Sequence, residues 1–263
     1  LANPHDASAE LDSRARAYLQ VNCAHCHRMH AGGAVLSHMH YDLALDKTNM
    51  VAARPSQGTF GIHAAQVIAP GDPLRSVLLY RMSKLGSGRM PHIGSTEVDR
   101  AGIELIYEWL KQMPPEAATE SSGNETAAKL QAEDATALQS LRGTEISAEQ
   151  AAIVDHLLSS TTGALLLLLR SVDARELSAA AMSLTIDKAA RHSDVSVRDL
   201  FERFLSPENR VKRLGSVVQP EQILSLAGDP QHGRQIYFET SGVSCKNCHR
   251  IHKEGKEVGP DLT

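Results

Sequence analysis

The sequence predicts an all-α protein built as a first helical unit, a linker, a helical spacer and a second, shorter helical unit. Three observations predict this. Apolar residues recur at helical spacing, as at Ile103, Ile106, Leu110 and Met113. Helix-start signals are frequent: Thr96 with Asp99, Ser147 with Gln150, and Asp229 before Pro230. A stretch near the start, VNCAHCHRMH, returns near the end as SCKNCHRIH, each time after a helical run.

The units follow in order. Residues 1–113 form the first, with a helix running into Cys23, Cys26 and His27 and a closing helix that starts at a Thr96 cap. Between them SVLLYRM is an apolar helical run, which makes Met82 core. Two glycines and a proline frame Met90 and put it on a loop. Met113 falls on the closing helix and is most simply core. Residues 114–135, PPEAATESSGNETAAKLQAEDA, lack an apolar period and read as a linker. Residues 136–218 form the spacer. SAEQAAIVDHLLSS opens on a capping box. GALLLLLR is far short of the ~20 residues that span a bilayer and reads as a core helix. ELSAAAMSLTIDKAARH has high helix propensity. VRDLFERFL sets Val197, Leu200, Phe201, Phe204 and Leu205 on one face. Ser206-Pro207 starts a further turn, and Gly215 suits a helix end. Residues 219–263 form the last unit, with a helix from Pro230 into Cys245, Cys248 and His249.

Composition narrows the chemistry. The net charge of −4 and pI near 6.4 carry no basic signature, so nucleic acid binding is not suggested. All 4 cysteines fall in the two C-x-x-C-H motifs, leaving none for a structural disulfide. The first residues, LANPHDASAE, have neither a basic start nor an apolar core. Either a signal has been removed or the chain is a piece of a longer protein.

C-x-x-C-H is the attachment pattern of c-type haem: the two thiols bond the porphyrin and the next histidine reaches the iron. Aromatics make up only 4% of the chain, and a buried porphyrin would fill a core that they do not. Two other readings compete. Zinc would need four ligands, such as Cys23, Cys26 and two of His25, His27, His30, His38 and His40, but the second motif offers only His249 and His252. A thioredoxin-like dithiol would follow a strand in a β-α-β pattern, and none is visible. Haem is the favoured reading, with two covalently bound groups. Met90 is the expected sixth ligand of the first, since a loop can lay a thioether over iron; His92 and His63 are fallbacks.

At these residues the chain resembles bacterial class I cytochrome c domains: a helix, C-x-x-C-H, a methionine loop and a closing helix, in that order over residues 11–113. ARAYLQVNCAHCHR with APGDPLRSVLLYRMSKLGSGRMPHIGS is similar to the cytochrome domains of large secreted planctomycete-type proteins. VRDLFERFLSPENRVKRLGSVVQPEQILSLAGDPQHGRQIYFETSGVSCKNCHRIHKEGKEVGPDLT resembles the haem-binding domain of the same bacteria. The resemblance implies that Pro260, in VGPDL, accepts a hydrogen bond from the His249 ring through its carbonyl and raises its basicity. After His27 the sequence runs MHAGGAVLSHMHYDL, and no such Gly-Pro appears to orient that ring. The resemblance also implies export to the periplasm or beyond, and protein redox partners, among them dehydrogenase-like modules.

Electron transfer is the expected function, with no catalytic residue. A dihaem peroxidase is the runner-up. It needs one open haem with an acid–base group above it, and its motifs usually lie closer together than positions 27 and 249. A gas sensor with five-coordinate iron and a spacer with vestigial haems are further readings. Lys246, Arg250, Lys253 and Lys256 could ring an exposed haem edge and steer an acidic partner; a solvated face is the simpler reading. The histidines at 25, 30, 38 and 40 read as surface or haem-propionate contacts rather than a second metal site. Only RIHKEGKEVGPDLT follows His249, with no methionine and no closing helix. The second unit is therefore expected to continue beyond Thr263.

Overall fold

Helices dominate the chain in a computed structural model. It describes residues 1–29, 36–92, 97–115, 122–141, 147–172, 177–211, 221, 224–239, 245–257, 259 and 261–263. Among these the only paired strands are the two-residue β1 (Arg250–Ile251) and β2 (Glu254–Gly255), an antiparallel hairpin. Its turn residues His252 and Lys253 both have positive φ, 49° and 72°, as a two-residue hairpin turn requires.

The first unit is held by two helices that pack on each other. α1 (Leu11–Asn22) buries Ala15, Tyr18 and Leu19, and α3 (Arg100–Gln112) buries Ile103, Ile106, Trp109 and Leu110. They meet at Gly102, where a Cβ would lie 2.2 Å from the Tyr18 hydroxyl oxygen; only glycine admits the ring. The Tyr18 hydroxyl donates to Asp99 Oδ2 at 2.9 Å, and Trp109 Nε1 donates to Asp12 Oδ1 at 2.8 Å. Between them α2 (Val77–Ser83) buries Val77, Leu78, Leu79, Tyr80 and Met82. Met82 is therefore core, as expected. Met113 caps the C-terminus of α3 and packs half-buried on the same cluster.

One start signal is corrected. Asp99 is itself the N-cap of α3, accepting from the Gly102 N–H, so the helix begins three residues later than a Thr96 cap would place it. Thr96 lies outside the described residues.

The stretch read as a linker is the larger correction. Residues Ser122–Ser140 form α4. Its inward positions are Asn124, Ala127, Gln131, Asp134, Ala137 and Leu138, a helical period in which polar residues are interleaved with alanine and leucine. Arg75 donates to Asn124 Oδ1, Gln131 Nε2 donates to Asp72 at 3.1 Å, and His156 lies 3.3 Å from Asp134. A helix face satisfied by polar side-chain partners leaves no apolar stripe to read.

α5 (Ala148–Leu158) opens on the Ser147–Gln150 capping box, with both reciprocal bonds present. α6 (Thr161–Leu167) is buried along its whole length and passes into a π-helical turn over Leu168–Val172. α7 (Ala179–Ala190) and α8 (Val195–Phe201) complete the group. Val197, Leu200 and Phe201 are fully buried, but Phe204 is 36% exposed and Leu205 half-buried. The chain tightens to a 3₁₀ turn over Glu202–Phe204, which rotates Phe204 off the α-helical face. Ser206-Pro207 opens another 3₁₀ turn, and Gly215 lies outside the described residues.

This helical group is not held off from the first unit. Ile62, Leu74 and Tyr80 share one apolar cluster with Leu157, Leu165, Leu200 and Phe201. The Tyr80 hydroxyl donates to the Ser196 carbonyl at 2.9 Å, and Thr161 Oγ1 to the Phe60 carbonyl at 2.6 Å.

The last unit carries α9 (Pro230–Phe238). Asp229 caps it as expected, accepting from the Gln231 and His232 N–H groups. Among the described residues from 221 to 263 none is buried. No helix among the described residues is long and apolar enough to cross a membrane.

Candidate functional site

The two C-x-x-C-H motifs fold into the same turn. At the first, the N–H groups of Cys26 and His27 both donate to the Cys23 carbonyl, at 3.1 and 2.9 Å. At the second, those of Cys248 and His249 donate to the Cys245 carbonyl, again at 3.1 and 2.9 Å. A residue three on and a residue four on are thus folded back over the first cysteine. Both thiols and the imidazole of each motif belong to one tight turn. None of the four cysteines forms a disulfide.

α1 delivers the first turn: Cys23 caps it, donating its N–H to the Leu19 carbonyl at 2.9 Å. Burial, reinforced by Cys26 beside it, pushes the Cys23 thiol up to about 12. A redox-active dithiol draws on a thiolate, which a low thiol pKa favours; Cys23 is shifted the other way. Among the described residues no three His, Cys, Asp or Glu side chains converge on a metal-sized point. His30 lies outside those residues.

The His27 ring is fixed. Its Nδ1 sits 3.0 Å from Ser37 Oγ. Burial is the main cause that holds its pKa below the ordinary histidine value; a hydrogen bond to the Ser37 backbone opposes it, and Arg81, His25 and His38 act with burial. The neutral ring is favoured.

Arg81 ties the methionine loop to this place. It lowers the pKa of His27 and also of His92, where burial is the main cause. Its Nε donates to the Gly88 carbonyl at 2.6 Å, and its own carbonyl accepts from the Met90 N–H at 3.1 Å. The end of α2 therefore links His27 to the loop that carries half-buried Met90. Beneath the loop, Lys84 Nζ lies 3.1 Å from Asp199 Oδ2, both side chains 2% exposed, and donates to the Ser87 carbonyl at 2.8 Å.

At the second motif Gly259 lies against the His249 ring. A Cβ there would stand 2.6 Å from Cε1 and 2.8 Å from Nδ1. Its N–H donates to the Cys248 carbonyl at 2.6 Å. Pro260, the carbonyl expected to orient His249, lies outside the described residues. Of the basic residues that could ring a haem edge here, Arg250 pairs with Glu257 and with Asp261, the latter at 2.9 Å. Arg234 pairs with Glu254 at 2.8 Å.

The surfaces beside both motifs suit a large apolar group. Val21, Met29 and Leu36 flank the first and are 63%, 65% and 67% exposed. At the second, Ile236 on α9 is exposed and no described residue of the unit is buried. The donor set and these surfaces fit covalently attached haem.

Sequence alone does not single out Ser37, Arg81, Gly259 or the Lys84–Asp199 pair. Gly259 stands in the VGPDL signal, beside Pro260. The others carry no local signature, because their roles arise from contacts across the chain.

Comparison with protein-family models, curated proteins and solved structures found no match.

Proposed function

We propose that the chain is a c-type cytochrome with two haems that passes electrons between protein redox partners, among them a dehydrogenase-like module, outside the bacterial cytoplasm. The observation that carries the reading is the pair of matching C-x-x-C-H turns that together take up every cysteine. Haem bound there supplies one-electron chemistry at iron. The chain's own part is to attach, orient and cover. Cys23, Cys26, Cys245 and Cys248 supply the attachment. His27 and His249 supply one iron ligand each. Ser37 leaves the His27 ring a single free nitrogen to offer, and Arg81 holds the Met90 loop to the end of α2.

Absorption spectra of the oxidised and reduced protein test this. Low-spin c-type bands that survive solvent extraction of free haem are expected; high-spin iron throughout would speak for a peroxidase or sensor. Met90→Ala should abolish the methionine-to-iron charge-transfer band and lower the first haem's potential, because loss of a thioether ligand favours the ferric state. An unchanged spectrum excludes Met90.

A further inference from the structure

We propose that Ser37 is the positioning residue of the first site, setting the tautomer, ring plane and basicity of His27; this rests on the haem reading above. A histidine ligates iron through one nitrogen while the other is held by a hydrogen-bond acceptor, which fixes the ring and tunes its basicity. At the second motif, backbone closes on the ring at Gly259. The first motif has no Gly-Pro after it. There the polar group on Nδ1 is the Ser37 hydroxyl, at 3.0 Å. With Nδ1–H donating to Oγ, Nε2 keeps its lone pair for iron.

The hydroxyl is not there by chance of a loose loop. The main chain around Ser37 is pinned on both sides. The Leu36 carbonyl accepts from Asn49 Nδ2 at 3.2 Å, and the His38 N–H donates to the Thr48 carbonyl at 2.8 Å. The Met39 N–H donates to the carbonyl of His27 itself at 2.9 Å. Met39 is 5% exposed and Thr48 1%, so these anchors belong to the core. Asn49 holds a φ of 54°, a left-handed conformation that asparagine tolerates better than most residues. The strap 36–39 thus carries the hydroxyl to the ring that its own backbone grips.

A serine hydroxyl gives His27 a neutral acceptor. Removing it makes the imidazole a weaker donor to ferric iron, so the first haem becomes easier to reduce. The test is a potentiometric titration of the intact holoprotein, following each haem separately, with proton NMR of the His27 ring in the same samples. Ser37→Ala and Ser37→Val should each raise the reduced-to-oxidised ratio of the first haem at a fixed applied potential several-fold. The ceiling is about tenfold, or ~59 mV for one electron. Both should shift the ring resonances. Ser37→Thr should restore both readouts, and the second haem should not move. Thr and Val have nearly the same shape, so that pair isolates the hydroxyl even if alanine loosens the strap. An unshifted first haem and unmoved ring resonances in Ser37→Val overturn the inference while leaving the haem reading intact. A wild-type protein without covalent haem overturns the haem reading, and this inference with it.

Discussion

Asp199→Ala is expected to destabilise the protein by about 3–5 kcal/mol, because it removes the carboxylate beside the buried Lys84 ammonium. Both side chains are 2% exposed and their charged atoms lie 3.1 Å apart. Lys84 keeps a bond to the Ser87 carbonyl and lies 5.3 Å from the centre of the Tyr80 ring and 5.6 Å from that of Phe60. Those contacts do not replace a carboxylate in a dry site. The midpoint of thermal unfolding should fall by roughly 10 °C. Because Lys84 also holds Ser87, close to Met90 in sequence, the methionine–iron band should weaken in the same variant. Leu85 N–H donates to the Asp199 backbone carbonyl, a bond that the substitution leaves in place. The double variant Lys84→Met with Asp199→Leu should recover most of the stability, since a buried pair can often be exchanged for apolar residues without loss. A loss under about 1 kcal/mol in Asp199→Ala would mean that the pair is not buried as described.

Gly259→Ala should act on the second site alone. The new methyl carbon would sit 2.6 Å from a ring carbon of His249, well inside contact distance. Ring or backbone must move, and Gly259 is itself bonded to the Cys248 carbonyl. The expected result is a second haem still covalently attached but with His249 displaced, seen as a change in its spectrum and potential against the wild-type protein. The first haem should keep its spectrum. A second haem with unaltered spectrum and potential would show that the ring tolerates the methyl group.

The parts of the fold that the sequence makes legible are those written in local signals. The Ser147–Gln150 capping box, the Asp229-Pro230 helix start and the apolar runs of α2 and α6 carry their own chemistry within a few residues. α4 does not. Asn124, Gln131 and Asp134 face inward at helical spacing, and each is satisfied by a residue distant in sequence. A period search over apolar residues passes over such a helix and finds a linker. Phe204 misleads in the opposite way: its spacing from Phe201 is helical, but the backbone changes period between them. The candidate site divides along the same line. The attachment residues stand in two contiguous motifs. Ser37, by contrast, reaches His27 because Thr48 and Asn49 pin its strap, a relation that no short window contains.

The mass of the intact protein under denaturing conditions tests the central claim most directly. Thioether bonds survive unfolding, so two attached haems should appear as two haem masses added to the 28.5 kDa polypeptide. Replacing both Cys23 and Cys26 with serine should remove one, and replacing Cys245 and Cys248 as well should remove the other. A mass equal to the bare chain, or zinc in place of iron on metal analysis, would contradict the account.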